Sequence, residues 1–304
     1  MRSYLRDQSE WFGRQWNDFW FTPSYGKQLT HLRVALCTLT AAWFAIILFD
    51  SAWWFGNSGW LEAELARSLS SASEGLWGSR FRISLLWSAS GPLTFQLWGG
   101  LGILLSVVGA VGIGGRAVQF ALFLCALFLA QRIPWVTGAF EPALIAALGY
   151  LVIDPGQSFI TRGSSRVQPR WTATFVTRLL QVHTWMLILA ALASQLANVA
   201  WWQGEAVWWL AATDHSNSFT PALLGGRILV VNALTHGITL CAFIAVFALW
   251  PHRLRPIGVL CGCILGGAYA LVGDQLLYGV LLIALLLGAF VDRLEVAVLT
   301  RRAS

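Results

Sequence analysis

Eight apolar stretches divide this chain, at roughly 30–50, 93–114, 117–131, 136–153, 176–200, 228–250, 257–273 and 276–291. Most approach the ~20 residues that an α-helix needs to cross a bilayer. In hydrocarbon each backbone N–H and C=O must be satisfied within the protein, so such stretches are read as helices. Composition agrees: 57% of the 304 residues are hydrophobic and 11% charged, against about 25% charged in an average soluble domain. The expected fold is an all-α, polytopic transmembrane helix bundle of about eight spans. The third, seventh and eighth stretches are short for a full crossing and are expected to tilt less or to stop short. One membrane domain is read over 30–291, preceded by an interfacial segment (1–29) and followed by a short cytoplasmic tail (292–304).

Charge orients the spans. Residues 1–33 carry a net charge of +2, as does the loop 154–175, where Arg162, Arg166 and Arg170 face Asp154. The turn "PHRLRP" adds Arg253 and Arg255, and the tail is +1. The intervening loop 201–226 holds Glu205 and Asp214, and the turn between the last two stretches holds Asp274. Basic loops stay cytoplasmic, so a multi-pass protein of the cell inner (plasma) membrane with both termini cytoplasmic is expected. Arg132 is the exception, in a turn read as external, with Glu141 as a nearby partner. The net charge of +6 is thus a topology signal, and nucleic acid is not an expected partner.

Other features read as packing or surface contact. Tyr4, Trp11, Phe12, Trp16, Phe19 and Trp20 suit one apolar face of a helix lying on the membrane, or a tail packed on the protein. "SGWLEAELARSLSS" and "LWGSRFRISLLW", within 51–93, look like short amphipathic pieces on the outer surface. Gly258, Gly262 and Gly266 repeat every four residues, and Gly99, Gly100, Gly102, Gly109 and Gly112 crowd the second stretch. Small residues in these patterns let helix backbones approach. The five cysteines (Cys37, Cys125, Cys241, Cys261, Cys263) lie inside apolar stretches and read as small core residues. No signal peptide is evident, and no metal site is expected.

Four tryptophans fall within nine residues at the end of the fifth stretch: Trp201, Trp202, Trp208 and Trp209, flanking Gly204 and Glu205. An aromatic belt at the outer boundary explains part of this. The turn at Gly204–Glu205 should lead into a second short helix, "EAVWWLAATD". The surrounding run "RLLQVHTWMLILAALASQLANVAWWQGEAVWWLAATD" (178–214) resembles the core of the HTTM family. This is the "horizontally transferred transmembrane" domain shared by vitamin K-dependent γ-glutamyl carboxylase and bacterial relatives. "DFWFTPSYGKQLTHLRVA" (18–35), "AQRIPWVTGAFEPALIAALGYLVIDPG" (130–156) and "VVNALTHGITLCAFIAVFALWPHRLRPIGV" (230–259) resemble the same family in order and spacing. The resemblance implies a base lysine on the fifth span, where this chain has Gln195, and a histidine in the penultimate span. "GVLCGCILGGAYALVG" (258–273) has no histidine, and the chain's single lysine, Lys27, precedes the first span. A glutamine amide cannot take a proton near neutral pH. No counterpart of the carboxylase's large lumenal domain is expected, since 13 residues follow the last stretch.

Polar residues inside spans are candidate sites. Arg178, Gln181 and His183 sit at the inner start of the fifth stretch. Gln195 and Asn198, with Trp201 and Trp202, sit at its outer end. Asn232 and His236 are four apart in the sixth, hence on one face. His183 and His236 read either as a proton-handling or headgroup-binding pair or as interhelical hydrogen-bonding groups. Arg178 reads as an anchor at inner headgroups or as an anion contact. His183, Asn232 and His236 are expected to face one another inside the helix bundle rather than to face lipid. The preferred reading is an HTTM-type membrane protein without the carboxylase lysine, binding a quinone- or lipid-like molecule or a membrane partner. The alternative is a carboxylase- or oxygenase-like enzyme using His183, His236 and Glu141.

Overall fold

The computed structural model describes residues 2–55, 59, 65, 68, 84–89, 91–132, 138–158, 168–213, 224–273 and 275–291, without the side chains of 2–9, 87, 88 and 213. Arg162, Arg166, Asp214, Asp274, the tail and most of both amphipathic pieces in 51–93 lie outside these residues, as does the side chain of Tyr4. The described chain is helical: α1 Arg2–Phe21, α2 Lys27–Phe55, α3 Pro92–Val111, α4 Gly115–Arg132, α5 Phe140–Ile153 and α6 Trp171–Ala197. There follow α7 Val199–Trp202, α8 Ala206–Thr213, α9 Ile228–Ala248, α10 Arg255–Leu271 and α11 Leu276–Phe290. Each apolar stretch therefore coincides with a helix. Among the described residues, four (α2, α3, α6 and α9) are long and apolar enough to cross a membrane. α5, α10 and α11 have 14, 17 and 15 residues. At 1.5 Å per residue they rise only about 21–26 Å, against a hydrocarbon core of about 30 Å. The fourth stretch joins the short ones because its described helix runs only from Phe140 to Ile153.

The chain divides into two compact units, one of residues 21–176 and one of 1–20 with 177–304. In the first, α2 packs along α3, and α4 packs on both α3 and α5. Leu29, Leu36, Phe44, Leu122, Ala126, Leu144 and Leu148 form a core closed to solvent. The α2–α3 seam depends on glycine. A methyl on Gly99 would lie 3.2 Å from Leu48 Cβ, and one on Gly102 would lie 2.5 Å from the buried Phe44 ring. Gly100, by contrast, points into open space, so it is no part of that seam. Gly112 ends α3 in the left-handed region at φ 87°; a side chain there is strained, and its Cβ would also meet the Arg33 guanidinium at 2.7 Å.

One end of this unit is held by charge. Arg33 is 1% exposed. It donates to Pro155 O at 2.7 Å and to Ala110 O at 3.3 Å, joining the C-terminus of α3 to the segment after α5. Asp154, fully buried, pairs with Arg170 at 3.1 Å and accepts from Thr172 Oγ1 and the Gly156 N–H. Ser24 and Arg170 exchange backbone hydrogen bonds beside them.

In the second unit α10 packs on both α9 and α11. Its glycine stripe makes this possible. A methyl on Gly262 would lie 2.7 Å from Leu286, and one on Gly266 would lie 2.9 Å from Gly279 O. α1 joins this unit through its C-terminal end, where Phe19 meets Trp250 and lies 4.3 Å beneath the Arg178 guanidinium. Trp11, Phe12 and Trp16 remain exposed along one stripe of α1.

Candidate functional site

The polar residues singled out from sequence fall into three groups. Arg178 and Gln181 form a brace. Arg178 donates to Phe19 O and to Gln181 Oε1, at 3.1 and 2.8 Å, and Gln181 donates to Ala289 O at 2.6 Å. Ala289 O is one of the last carbonyls of α11, which no helical N–H can reach. Glu141 belongs to the other unit, and its Oε2 accepts from the Gly138 N–H at 2.8 Å, closing the N-terminus of α5. Neighbouring Arg132 is 5% exposed, with its guanidinium 6.0 Å from the Phe95 ring. His183 is half-buried in α6.

The third group lies where α6 ends and α9 begins. Asn198 caps α7, its side chain accepting from the Ala200 N–H at 2.9 Å. Trp202 is 67% exposed, and its indole donates back to Leu196 O. The chain then turns at Gly204, whose φ of 80° favours glycine. A methyl there would lie 2.9 Å from Asn232 Oδ1 and 3.1 Å from His236 Nε2. Thr235 Oγ1, on the same side of α9, accepts from the Val207 N–H at the start of α8. One face of α9 therefore seats the tryptophan turn. Asn232 and His236 share that face, as their spacing predicts. His236 nonetheless remains exposed, unlike the interior position expected, although its Nε2 lies beside the turn at Gly204.

Beside this seat is a cavity of about 370 Å³, lined by Glu205, Trp208 and Trp209 from the turn and α8, and by Leu224, Gly226, Arg227, Ile228, Val231 and Asn232 from the start of α9 and the residues before it. Among the described residues neither the Glu205 carboxylate nor the Arg227 guanidinium has a hydrogen-bond or ion-pair partner. Asn232 Oδ1 is buried without a hydrogen-bond partner. The cavity thus brings together a carboxylate, two indoles and a guanidinium beside a helix N-terminus. The sequence placed Glu205 and both tryptophans at a boundary but did not single out Arg227. Its signal was position: an arginine directly after a loop whose charged residues are acidic.

Gln195 occupies the same end of the unit. It is 2% exposed, and neither amide atom makes a well-formed hydrogen bond. The Tyr269 hydroxyl from α10 approaches it, and Tyr269 in turn packs edge-on against Tyr278 at 5.5 Å. An amide in this position can donate and accept hydrogen bonds but cannot act as a base. Compared with known proteins, the chain matches no family model, no curated protein and no solved structure.

Proposed function

We propose that this chain is a polytopic inner-membrane protein of HTTM type. In this reading it lacks the carboxylase base and binds an amphipathic, lipid- or quinone-like molecule at the outer end of its second unit. The cavity beside Gly204 carries the reading. Its aromatic and aliphatic walls suit an apolar body, and the Glu205 carboxylate and Arg227 guanidinium have no hydrogen-bond or ion-pair partner among the described residues, as in sites that orient a ligand. Four apolar helices of spanning length support residence in a membrane. In the eight-span arrangement both termini are cytoplasmic and the tryptophan turn is external.

Purification in mild detergent followed by mass spectrometry of the extracted lipophiles tests this. The native chain should retain a defined amphipathic molecule at about one per protein. The double variant Trp208→Ala/Trp209→Ala, which strips one wall from side chains already exposed by 38% and 57%, should lose it while eluting as the same monodisperse species. Equal retention by both proteins would remove the cavity from consideration.

A further inference from the structure

We infer that the cavity beside Gly204 is a headgroup site for an aminophospholipid, with a primary ammonium at Glu205 and a phosphate at Arg227. This rests on the lipid-binding reading above and names the ligand class. The two walls are chemically opposite. On the α8 side Glu205 offers a carboxylate, and Trp208 and Trp209 offer indole faces, which attract cations. From the α9 side come the Arg227 guanidinium and the Asn232 amide, together with the first turn of α9.

That turn adds to the anion subsite. Arg227 is the N-cap residue of α9, and its side chain makes no capping hydrogen bond. The early N–H groups of a helix point outward and carry the positive end of its dipole. Gly226, Arg227 and Ile228, which line the cavity, are this N-terminus. A ligand with one positive and one negative group a few bonds apart satisfies both walls at once. A ligand with either charge alone leaves the other wall's ion unpaired.

Two observations favour a lipid over a soluble zwitterion. Ile228, Leu229 and Val230, directly after Arg227, are 67%, 80% and 43% exposed, so an apolar surface runs down from the cavity where acyl chains would lie. Trp209 is 57% exposed on the α8 side, as an indole at headgroup depth should be. A primary ammonium is preferred over trimethylammonium because Glu205 accepts hydrogen bonds. The former has three N–H donors and the latter none.

The test is native mass spectrometry of the full chain from nanodiscs containing equimolar phosphatidylethanolamine, phosphatidylcholine and phosphatidylglycerol. The native chain should retain phosphatidylethanolamine at least about tenfold over either other lipid, the scale of one charge-assisted hydrogen bond. Glu205→Gln should bring phosphatidylglycerol level with phosphatidylethanolamine, and Arg227→Gln should lower retention of all three. Equal retention of the three headgroups by the native chain, or preference for phosphatidylcholine, overturns the assignment without any variant being needed. If that lipid is still lost from Trp208→Ala/Trp209→Ala, the lipid-binding reading survives and only the headgroup assignment fails. If the double variant retains it, both fail. Soluble glycerophosphoethanolamine should not displace the lipid at millimolar concentration; displacement would assign the site to a free zwitterion and overturn the lipid claim.

Discussion

Gln195 joins sequence and structure most directly. Where the family resemblance places a lysine, this chain buries an amide with no well-formed hydrogen bond. An unsatisfied buried amide costs about 1–3 kcal/mol, and replacing it by an apolar group of similar shape can be neutral or stabilising. Gln195→Leu should therefore unfold thermally at or above the native midpoint in detergent. Gln195→Lys should unfold below it, because an ammonium is more costly to bury. Neither the native chain nor Gln195→Lys should incorporate carbon dioxide into a glutamate peptide with reduced quinone above a heat-killed control. Incorporation by the native chain would refute the non-carboxylase reading. The position was legible from the sequence; its burial was not, since that depends on α10 bringing Tyr269 alongside. The arginines show the same limit. Arg33 and Arg255 read from sequence as loop charges that set topology, and Arg178 as a headgroup anchor or an anion contact. In the structure Arg255 is 4% exposed and donates to Leu249 O and Trp250 O at the end of α9. Arg33 does the same for α3, and Arg178 acts through Gln181 on α11. Each sits where helix carbonyls lack partners and the helix dipole is negative. A charge count cannot reveal this, because the carbonyls come from other helices.

The helices were legible as elements, because apolar stretches this long have few alternatives. Their glycines were legible only as a class. Gly102 and Gly100 look alike in sequence, two positions apart in one helix, yet only Gly102 meets the Phe44 ring. Gly102→Ala should destabilise by about 1–3 kcal/mol, the usual penalty for overpacking a core that cannot give way. Gly100→Ala has nothing within 4 Å and should be neutral or stabilising by up to about 1 kcal/mol through helix propensity. Comparative thermal unfolding of the two variants checks this. Equal midpoints would mean that the α2–α3 seam is looser than described. The tryptophan turn was read as a belt with a short second helix. That helix exists as α8, but its seat on Asn232, Thr235 and His236 arises from contacts some 30 residues apart in sequence, which local pattern does not encode.

The two compact units left no mark in the sequence. Their boundary at 176–177 falls inside α6, in an unbroken apolar helix. Neither a linker nor a composition shift announces it. What the whole chain does carry legibly is alternation of charge between successive loops, and the functional proposal depends on it. If the cavity beside Gly204 is to meet outer-leaflet lipid, α9 must run from outside to inside. Its 21 residues are long and apolar enough to cross. The decisive measurement is cysteine labelling in right-side-out membrane vesicles, with the five native cysteines replaced and one cysteine introduced at a time. A membrane-impermeant maleimide should label Ser216→Cys, before α9, in sealed vesicles. It should label His252→Cys, after α9, only once the vesicles are permeabilised. The reverse pattern, or labelling of both in sealed vesicles, would contradict the proposed orientation and the lipid site with it.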